Sequence, residues 1–331
     1  MKNFAYDRVR SIEDAVEQAT RDRNALYIAG GTNLVDRLKA FLDEPTQLLD
    51  ISRLEMKSIE VTPEGGLKIG ALVTNTDLAN HAEVRRQYPM LSRAILSGAS
   101  QQIRNMATVG GNLMQRTRCP YYYDTAFTCN KRQPNTGCPA INGVNRTHAI
   151  LGASESCVAV NPSDMSVALA ALDAIVEVHG ERGQREIPVA DFHRLPGDTP
   201  NRDTHLEPGE LITAVIVPPI SFARSGVYLK LRDRASYAFA LVSVAAALDL
   251  SGNQIRNARI ALGGVAHKPW RASEAEDFLQ GQMANPSTFE QAADMALQDA
   301  QPLSYNGFKV DLSRRAIRRA LAVSARGGGI V

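Results

Sequence analysis

The four cysteines of this 331-residue chain lie close together in the sequence, at Cys119, Cys129, Cys138 and Cys157. Thiolates bind zinc, hold iron–sulfur clusters or pair as disulfides. The spacing contains no Cys-x-x-Cys pair, so it matches neither a ferredoxin nor a zinc-ribbon signature. The pattern therefore predicts a cysteine-based site and leaves its chemistry open between two disulfides, a structural zinc and an iron–sulfur cluster.

Basic residues surround these cysteines, namely Arg116, Arg118, Lys131, Arg132 and Arg146. Positive charge offsets the negative charge of an iron–sulfur cluster and raises its potential, which favours iron–sulfur over zinc. Cys119-Pro120 and Cys138-Pro139 are Cys-Pro pairs of the kind found in bacterial ferredoxins. Disulfides require an oxidising compartment, and without an export signal they are the least favoured alternative.

Two double-glycine turns form a second kind of candidate site. A short apolar strand enters Gly30-Gly31-Thr32-Asn33, and a helix follows. Glycine lets the backbone approach a ligand, and the free N–H groups of a helix N-terminus bind anions. The second turn, Thr108-Val109-Gly110-Gly111-Asn112, offers hydroxyl, amide and backbone donors. Either turn suits a diphosphate, but an ordinary tight turn has the same pattern, and neither matches G-x-G-x-x-G or Walker A.

Periodicity predicts the elements that position these turns. Helices are predicted over 11–21, 74–87, 89–98 and from Ser163 or Asp164 to Leu172. Strands are predicted over 26–29, 48–51, 59–61, 67–69, 174–179 and 211–217. Between 116 and 156 the periodicity disappears, and loops of that length inside a domain are usually functional or disordered. The first half therefore reads as mixed helices and strands interrupted by one long loop.

The second half reads as a hairpin followed by helices. A domain boundary is predicted at Pro218-Pro219, and strands over 226–232, 239–250 and 255–262, with the last two joined by a tight turn at 251–253. The helix over 311–321 carries four arginines. With no aromatic residues among them, they indicate a solvated face opposite Leu312, Ile317 and Leu321 rather than a nucleic-acid site.

Composition excludes several classes of protein. The 37 basic and 35 acidic residues nearly balance, so no nucleic-acid partner is expected. The longest apolar run, 238–248, is well short of the roughly 20 residues that span a bilayer, so no membrane insertion is expected. The six histidines are scattered, and no Ser/His/Asp set or carboxylate pair stands out. We therefore predict no catalytic side chain and expect any chemistry to come from cofactors.

Three segments in this order, 29–33, 102–112 and 162–165, resemble the FAD-binding subunits of the xanthine dehydrogenase and carbon monoxide dehydrogenase family. Residues 208–212 and 228–230 extend the resemblance through the second half. The chain is most similar to the FAD subunits of bacterial periplasmic aldehyde oxidoreductases, which carry a cysteine-bearing insertion. One departure is Asn33, where many relatives have aspartate. Because an amide can still contact the cofactor, we interpret this difference as an adjustment of the cofactor site rather than its loss.

The resemblance implies an α+β fold of the vanillyl-alcohol-oxidase/CO-dehydrogenase flavoprotein type. A two-lobed FAD-binding domain would cover 1–220, with lobes of about 1–55 and 56–220 and a cysteine loop at 116–157, and a C-terminal α+β domain would cover 221–331. The implied cofactors are FAD and a [4Fe-4S] cluster on the four cysteines. The implied FAD-binding residues are Leu26, Tyr27, Ile28, Ala29, Gly30, Gly31, Thr32, Asn33, Leu34, Thr108, Gly111, Asn112, Asp164, Leu211, Ile212 and Lys230.

The resemblance also implies a role in a heterotrimer. An aldehyde would be oxidised at the molybdenum centre of a large subunit, and electrons would cross the [2Fe-2S] clusters of a small subunit to FAD and an external acceptor. The chain alone would then be inactive on substrate. It would reach the periplasm by co-export with a signal-bearing partner, whereas its own N-terminus predicts a cytoplasmic protein. The alternatives are a stand-alone flavin reductase of the same superfamily and a binding protein whose loop is held by zinc.

Overall fold

A small parallel sheet with two connecting helices forms the N-terminal part of the molecule. In the computed structural model, which describes residues 1–328, strands β1 (Ala5–Arg8), β2 (Leu26–Ile28) and β3 (Gln47–Asp50) pair in the order β1-β3-β2. Helix α1 (Ile12–Arg21) joins β1 to β2, and α2 (Leu34–Lys39) joins β2 to β3. The Ser11 hydroxyl accepts a hydrogen bond from the Asp14 N–H at 3.1 Å and so caps the N-terminus of α1, the helix predicted over 11–21.

The next part is a five-stranded antiparallel sheet with helices packed on it. Its strands are β4 (Ile59–Val61), β5 (Leu67–Gly70), β6 (Ile175–Gly180), β7 (Gly183–Pro188) and β8 (Leu211–Val217), in the order β4-β5-β8-β6-β7. The helices are α3 (Asn75–Asn80), α4 (Ala82–Gln87), α5 (Pro89–Ser97), α6 (Gln101–Arg104), α7 (Val109–Leu113), α8 (Pro120–Tyr123), α9 (Asp164–Ala171) and α10 (Val189–Phe192). All eight residues of α9 are buried, which makes it the central helix of this core.

Several features of this part differ from the prediction, which did not include the short helices α6, α7, α8 and α10. The single helix predicted over 74–87 is two helices, because His81 adopts an extended backbone (φ −61°, ψ 132°) that ends α3 and begins α4. Strand β7 was not predicted. Its residues are exposed apart from Ile187, so the apolar alternation that marks a half-buried strand is missing from its sequence.

The C-terminal part is a four-stranded antiparallel sheet covered by helices. Strands β9 (Val227–Leu231), β10 (Val242–Ser251), β11 (Gln254–Gly263) and β12 (Trp270–Arg271) pair in the order β12-β11-β10-β9. Helices α11 (Ser273–Leu279), α12 (Pro286–Met295) and α13 (Phe308–Ser324) follow. The predicted hairpin of β10 and β11 is confirmed. Strand β10 begins at Val242, three residues later than predicted, because 232–241 is irregular.

The arginine-rich face of α13 is used for ion pairs with the neighbouring helix. Arg314 lies 2.6 Å from Asp294, and Arg318 lies 3.1 Å from Glu290. Ile317 and Leu321 on the opposite face are fully buried. The prediction of a solvated basic face opposite an apolar stripe is therefore confirmed. Among the described residues, none of the helices combines the length and apolar composition needed to span a bilayer.

A buried lysine joins α13 to the end of the cysteine loop. The Lys309 ammonium donates hydrogen bonds to the backbone oxygens of His148 at 2.8 Å and Gly264 at 2.7 Å, and the residue is fully buried. Burial, with a smaller effect from the nearby Arg146 cation, lowers the pKa of Lys309 to about 7.

This lowered pKa predicts a pH-dependent stability. An unfolded lysine titrates near about 10.4, so between pH 7 and pH 10 the unfolded chain binds more protons at this position than the folded chain does. The contribution of Lys309 to the free energy of unfolding should therefore rise by about 2 kcal/mol from pH 7 to pH 9. Urea unfolding at several pH values checks this against Lys309→Met, which should lack this part of the rise. Equal slopes in the two proteins would contradict it.

Candidate functional site

The two glycine turns lie side by side in one cleft of about 430 Å³ between the parallel sheet and the five-stranded sheet. This volume falls within the range of small-molecule sites. Twelve of the sixteen predicted FAD-binding residues line the cleft: Leu26, Tyr27, Ala29, Gly30, Gly31, Thr32, Asn33, Leu34, Thr108, Gly111, Leu211 and Ile212. The structure therefore brings together segments that are far apart in the sequence.

The glycines of the two turns occupy positions with different steric requirements. A Cβ on Gly30 would lie 1.8 Å from the backbone oxygen of Met106, so this glycine allows the first turn to pack against the segment before the second. Gly31 has a φ of +70°, in the left-handed region that favours glycine. A Cβ on Gly111 would approach only the Thr108 hydroxyl, at 3.0 Å, which is itself the N-terminal cap of α7. A side chain at Gly111 would therefore be in tight contact with that hydroxyl and with no other heavy atom within 4 Å.

The opposite wall of the cleft is fixed by Tyr27. Its hydroxyl donates to the backbone oxygen of Gly209 at 2.7 Å, which ties the end of β2 to the segment before β8. Leu211 and Ile212 follow directly at the start of β8. The Tyr27–Gly209 hydrogen bond thus fixes the position of the apolar residues Leu211 and Ile212 relative to the first glycine turn.

A second cavity of about 320 Å³ adjoins the first and shares Thr117 and residues 160–162 with it. Asp164 lines this second cavity at the start of α9. Its carboxylate accepts from the Tyr228 hydroxyl at 2.6 Å and from the Lys230 ammonium at 2.7 Å. Two adjoining cavities suit an elongated ligand that places a chemically different end in each cavity.

The remaining predicted residues lie behind these walls. Lys230 lines neither cavity and acts through Asp164. The Asn112 side-chain oxygen accepts from the Ser163 hydroxyl at 2.7 Å, which joins α7 to the cap of α9. Ile28 is the last residue of β2 and lines neither cavity. For these residues the structure shows support of the site rather than direct access to it.

Asn33 joins the first glycine turn to the cysteine loop. Its side-chain oxygen accepts from the Arg116 N–H at 3.0 Å, and its amide nitrogen lies 3.4 Å from the Tyr123 hydroxyl. It makes no side-chain cap to α2. The first glycine turn is therefore in direct contact with the cysteine loop.

Several charged or titratable residues of the cleft wall were missed from the sequence, among them Asp203, His193 and His267. Asp203 lies in the irregular stretch before β8, and His193 and His267 come from distant segments. Burial lowers the pKa of each histidine to about 4, so both imidazoles are neutral at neutral pH. His193 Nδ1 and His267 Nε2 are buried without a hydrogen-bond partner among the described residues. Unpaired buried nitrogens beside a cavity fit a site that receives a polar ligand.

Asp203 is a carboxylate of the cleft wall whose ionisation is governed by two neighbouring cations. Burial alone would raise the pKa of its carboxyl, but the Arg116 and Lys131 cations outweigh burial and hold it well below its usual range. The sequence contained no signal for this residue, because its partners lie 87 and 72 positions away. It remains ionised throughout the physiological pH range.

All four cysteines are free thiols. Cys119 Sγ lies 3.1 Å from His148 Nε2, and burial raises the pKa of Cys119 to about 11. The hydrogen-bond contact with Cys157 lowers the pKa of Cys138 to about 6. Within residues 1–328, no group of three or more His, Cys, Asp or Glu side chains is arranged to hold a metal ion. The structure thus places four thiols in one loop, which is the number and type of donor that a [4Fe-4S] cluster needs. It does not arrange these thiols around a common centre, as the predicted cluster site requires.

Comparison with known proteins decides the family. Residues 2–220 match the family described as FAD binding domain in molybdopterin dehydrogenase, and residues 227–323 match the CO dehydrogenase flavoprotein C-terminal domain. The chain belongs to the FAD-binding subunits of the molybdenum hydroxylases. The predicted α+β fold, an FAD-binding domain followed by a CO dehydrogenase flavoprotein-type C-terminal domain, is confirmed.

Individual relatives agree with this assignment. The chain is 51% identical to the aldehyde oxidoreductase FAD-binding subunit PaoB of Escherichia coli (strain K12), over 97% of this chain and 98% of that protein. It is 30% identical to the glyceraldehyde dehydrogenase medium chain of Sulfolobus acidocaldarius, over 91% and 89%. A crystal structure of quinoline 2-oxidoreductase from Pseudomonas putida 86 superposes with a TM-score of 0.76 at 26% identity, covering 98% of both chains. This flavoprotein therefore shares more than nine tenths of its length with each of these proteins.

Proposed function

We propose that this flavoprotein is the electron-transfer subunit of a molybdenum-dependent aldehyde oxidoreductase. The observation that carries the proposal is the convergence of both glycine turns on one cleft, in a chain 51% identical to an aldehyde oxidoreductase FAD-binding subunit. FAD bound there would take up electrons delivered by partner subunits and pass them to an external acceptor. That role needs no general acid or base from this chain, because the cofactors supply the chemistry.

The contacts of the cleft suggest how FAD would be held. The hydroxyls of Thr32 and Thr108, which line the cleft beside the two glycine turns, would bind the diphosphate. Asp164 would accept from ribityl or adenosine hydroxyls in the adjoining cavity, and its ion pair with Lys230 would hold the carboxylate in place for that task. Leu211 and Ile212 would cover the apolar surface of the cofactor.

The proposed partners are a large molybdenum-cofactor subunit and a small [2Fe-2S] subunit in a heterotrimer. Relatives named as medium chains of dehydrogenases support a partner complex. The test is to co-express the chain with the products of neighbouring genes and to follow flavin absorbance anaerobically. Bleaching by an aldehyde is expected only in the complex. Bleaching of the isolated chain by NADPH would instead favour the stand-alone flavin reductase.

We propose in addition that the cysteine loop holds a [4Fe-4S] cluster. The four free thiols and the basic residues around them support this proposal. Zinc bound to the same thiols remains the second candidate, because it uses the same donors.

Metal analysis distinguishes these candidates. About four iron and four acid-labile sulfide per FAD are expected in chain purified anaerobically, and Cys129→Ser should lose most of the iron while binding FAD. Ser156→Ala, a loop variant that removes no thiol, should keep the full iron content. One zinc per chain without sulfide would sink the iron–sulfur proposal and leave the FAD assignment intact.

The proposed location is the periplasm, reached in the folded state with a signal-bearing partner. The proposal is supported by the resemblance to periplasmic aldehyde oxidoreductases. Cell fractionation checks it: deleting the partner's signal should leave this chain in the cytoplasm. A chain that still reached the periplasm would contradict co-export.

A further inference from the structure

We propose that Asp203 couples the cysteine loop to the flavin cleft, so that FAD binding orders the loop and an ordered loop strengthens FAD binding. Asp203 is a positioning residue in this inference, which rests on the proposed function only in taking FAD as the ligand of the cleft. The coupling is carried by three sets of contacts between the loop and the cleft wall.

The first contact is an ion-pair network centred on Asp203. One carboxylate oxygen accepts from Arg116 Nε at 2.5 Å, and the other accepts from the Lys131 ammonium. Arg116 precedes the first cysteine of the loop, and Lys131 follows the second. Both cations that the carboxylate binds therefore come from the cysteine loop, while Asp203 itself lines the cleft.

The second contact fixes the buried lysine of this network. The Lys131 side chain is only 1% exposed, and its ammonium also donates to the backbone oxygen of Pro200 at 2.7 Å. A buried ammonium that loses its carboxylate is strongly unfavourable. The middle of the loop therefore cannot leave the 200–203 segment without breaking the ion pair between Lys131 and Asp203.

The third contact approaches the same loop from the other side of the cleft. Asn33 in the first glycine turn accepts from the Arg116 N–H and contacts the Tyr123 hydroxyl. The Arg116 guanidinium also lies 5.1 Å from the centre of the Tyr122 ring. Arg116 is thus held between the glycine turn, the loop and Asp203, and all three must keep their places for the cleft to keep its shape.

Coupling through such a network is reciprocal. If bound FAD favours the arrangement in which Asn33, Arg116 and Asp203 are in place, it must stabilise the ordered loop by the same factor by which the ordered loop tightens FAD binding. Residues 124–142 line neither the cleft nor the adjoining cavity. A response of this segment to FAD would therefore report coupling rather than direct contact with the ligand.

Hydrogen exchange measured by mass spectrometry tests the inference. The full chain, purified with its partner subunits and freed of FAD, is compared with and without added FAD. In the wild type, FAD should slow amide exchange in 124–142 by about fivefold or more, the lower end of typical coupling factors. The protection should be lost in Asp203→Asn and reduced in Lys131→Met, which leaves the Arg116 pair in place. The FAD dissociation constant should rise by the same factor as the protection falls.

A matched control is Glu276→Gln, which also alters a buried ion-paired carboxylate, 2.6 Å from the Ile260 N–H in the C-terminal part. It should leave the FAD-dependent protection unchanged. Protection that persists in both Asp203→Asn and Lys131→Met would overturn the role of Asp203. A wild type that binds FAD without protecting 124–142 would overturn the coupling alone, whereas a wild type that binds no FAD would overturn the proposed function as well.

Discussion

Gly30→Ala is expected to lower FAD affinity by more than tenfold and to leave most of the purified chain without flavin. The new Cβ would lie 1.8 Å from the backbone oxygen and 2.7 Å from the carbonyl carbon of Met106. Backbone atoms cannot move aside as a flexible side chain can, so the two turns must separate. Overpacking of this kind costs about 1 to 3 kcal/mol, and a loss of about 1.4 kcal/mol in binding is tenfold in affinity. Flavin released by heat, per chain after gel filtration, measures the effect.

The matched control for this substitution is Gly307→Ala. Gly307 has ordinary helical backbone angles (φ −56°, ψ −32°), and no atom lies within 4 Å of the position that a Cβ would take. This variant should keep its full FAD content. If Gly30→Ala also bound FAD with unchanged affinity, the close approach of the two turns would have no part in the flavin site.

The parts of the site that could be predicted from sequence are those specified locally. The glycine turns, the Ser11 cap and the hairpin after β10 each depend on residues within a few positions of one another. Strand β1 could not be predicted because it is exposed along its whole length and gains its structure by pairing with β3. Pairings between distant segments are not encoded by short-range periodicity.

The same reason explains the missed residues of the cleft. Arg116 was noticed for its charge and assigned to the cysteines, but its carboxylate partner lies 87 positions along the chain. His193 and His267 gave no metal-ligand spacing, and only the fold places both at the cleft. Asp164 was predicted as a ligand of the cofactor, while the sequence did not show that Lys230 reaches it from β9. A sequence identifies such groups singly, and the tertiary structure supplies their partners.

Lys230→Met is expected to lower the free energy of unfolding of the FAD-free chain by about 3 to 5 kcal/mol, the usual cost of removing one member of a buried ion pair. The side chains of Lys230 and Asp164 are only 4% and 9% exposed. Without the lysine, the Asp164 carboxylate would keep the Tyr228 hydroxyl but lose its compensating charge, and the backbone oxygen of Ser97 would lose a donor. Urea unfolding of the two proteins at one pH measures the difference.

Lys2→Met supplies the comparison, because it makes the same chemical change at an exposed ion pair. Lys2 and its partner Glu44 are 64% and 42% exposed, and such pairs contribute about 0 to 1 kcal/mol. The difference between the two variants should therefore be several kcal/mol. It also has a functional consequence, since Lys230→Met removes the ion pair that holds the Asp164 carboxylate beside the second cavity, and FAD binding should therefore weaken. Equal, small losses of stability in Lys230→Met and Lys2→Met would show that the buried Lys230–Asp164 ion pair contributes no more to the free energy of unfolding than an exposed pair does. The expected FAD weakening in Lys230→Met would then have no physical basis.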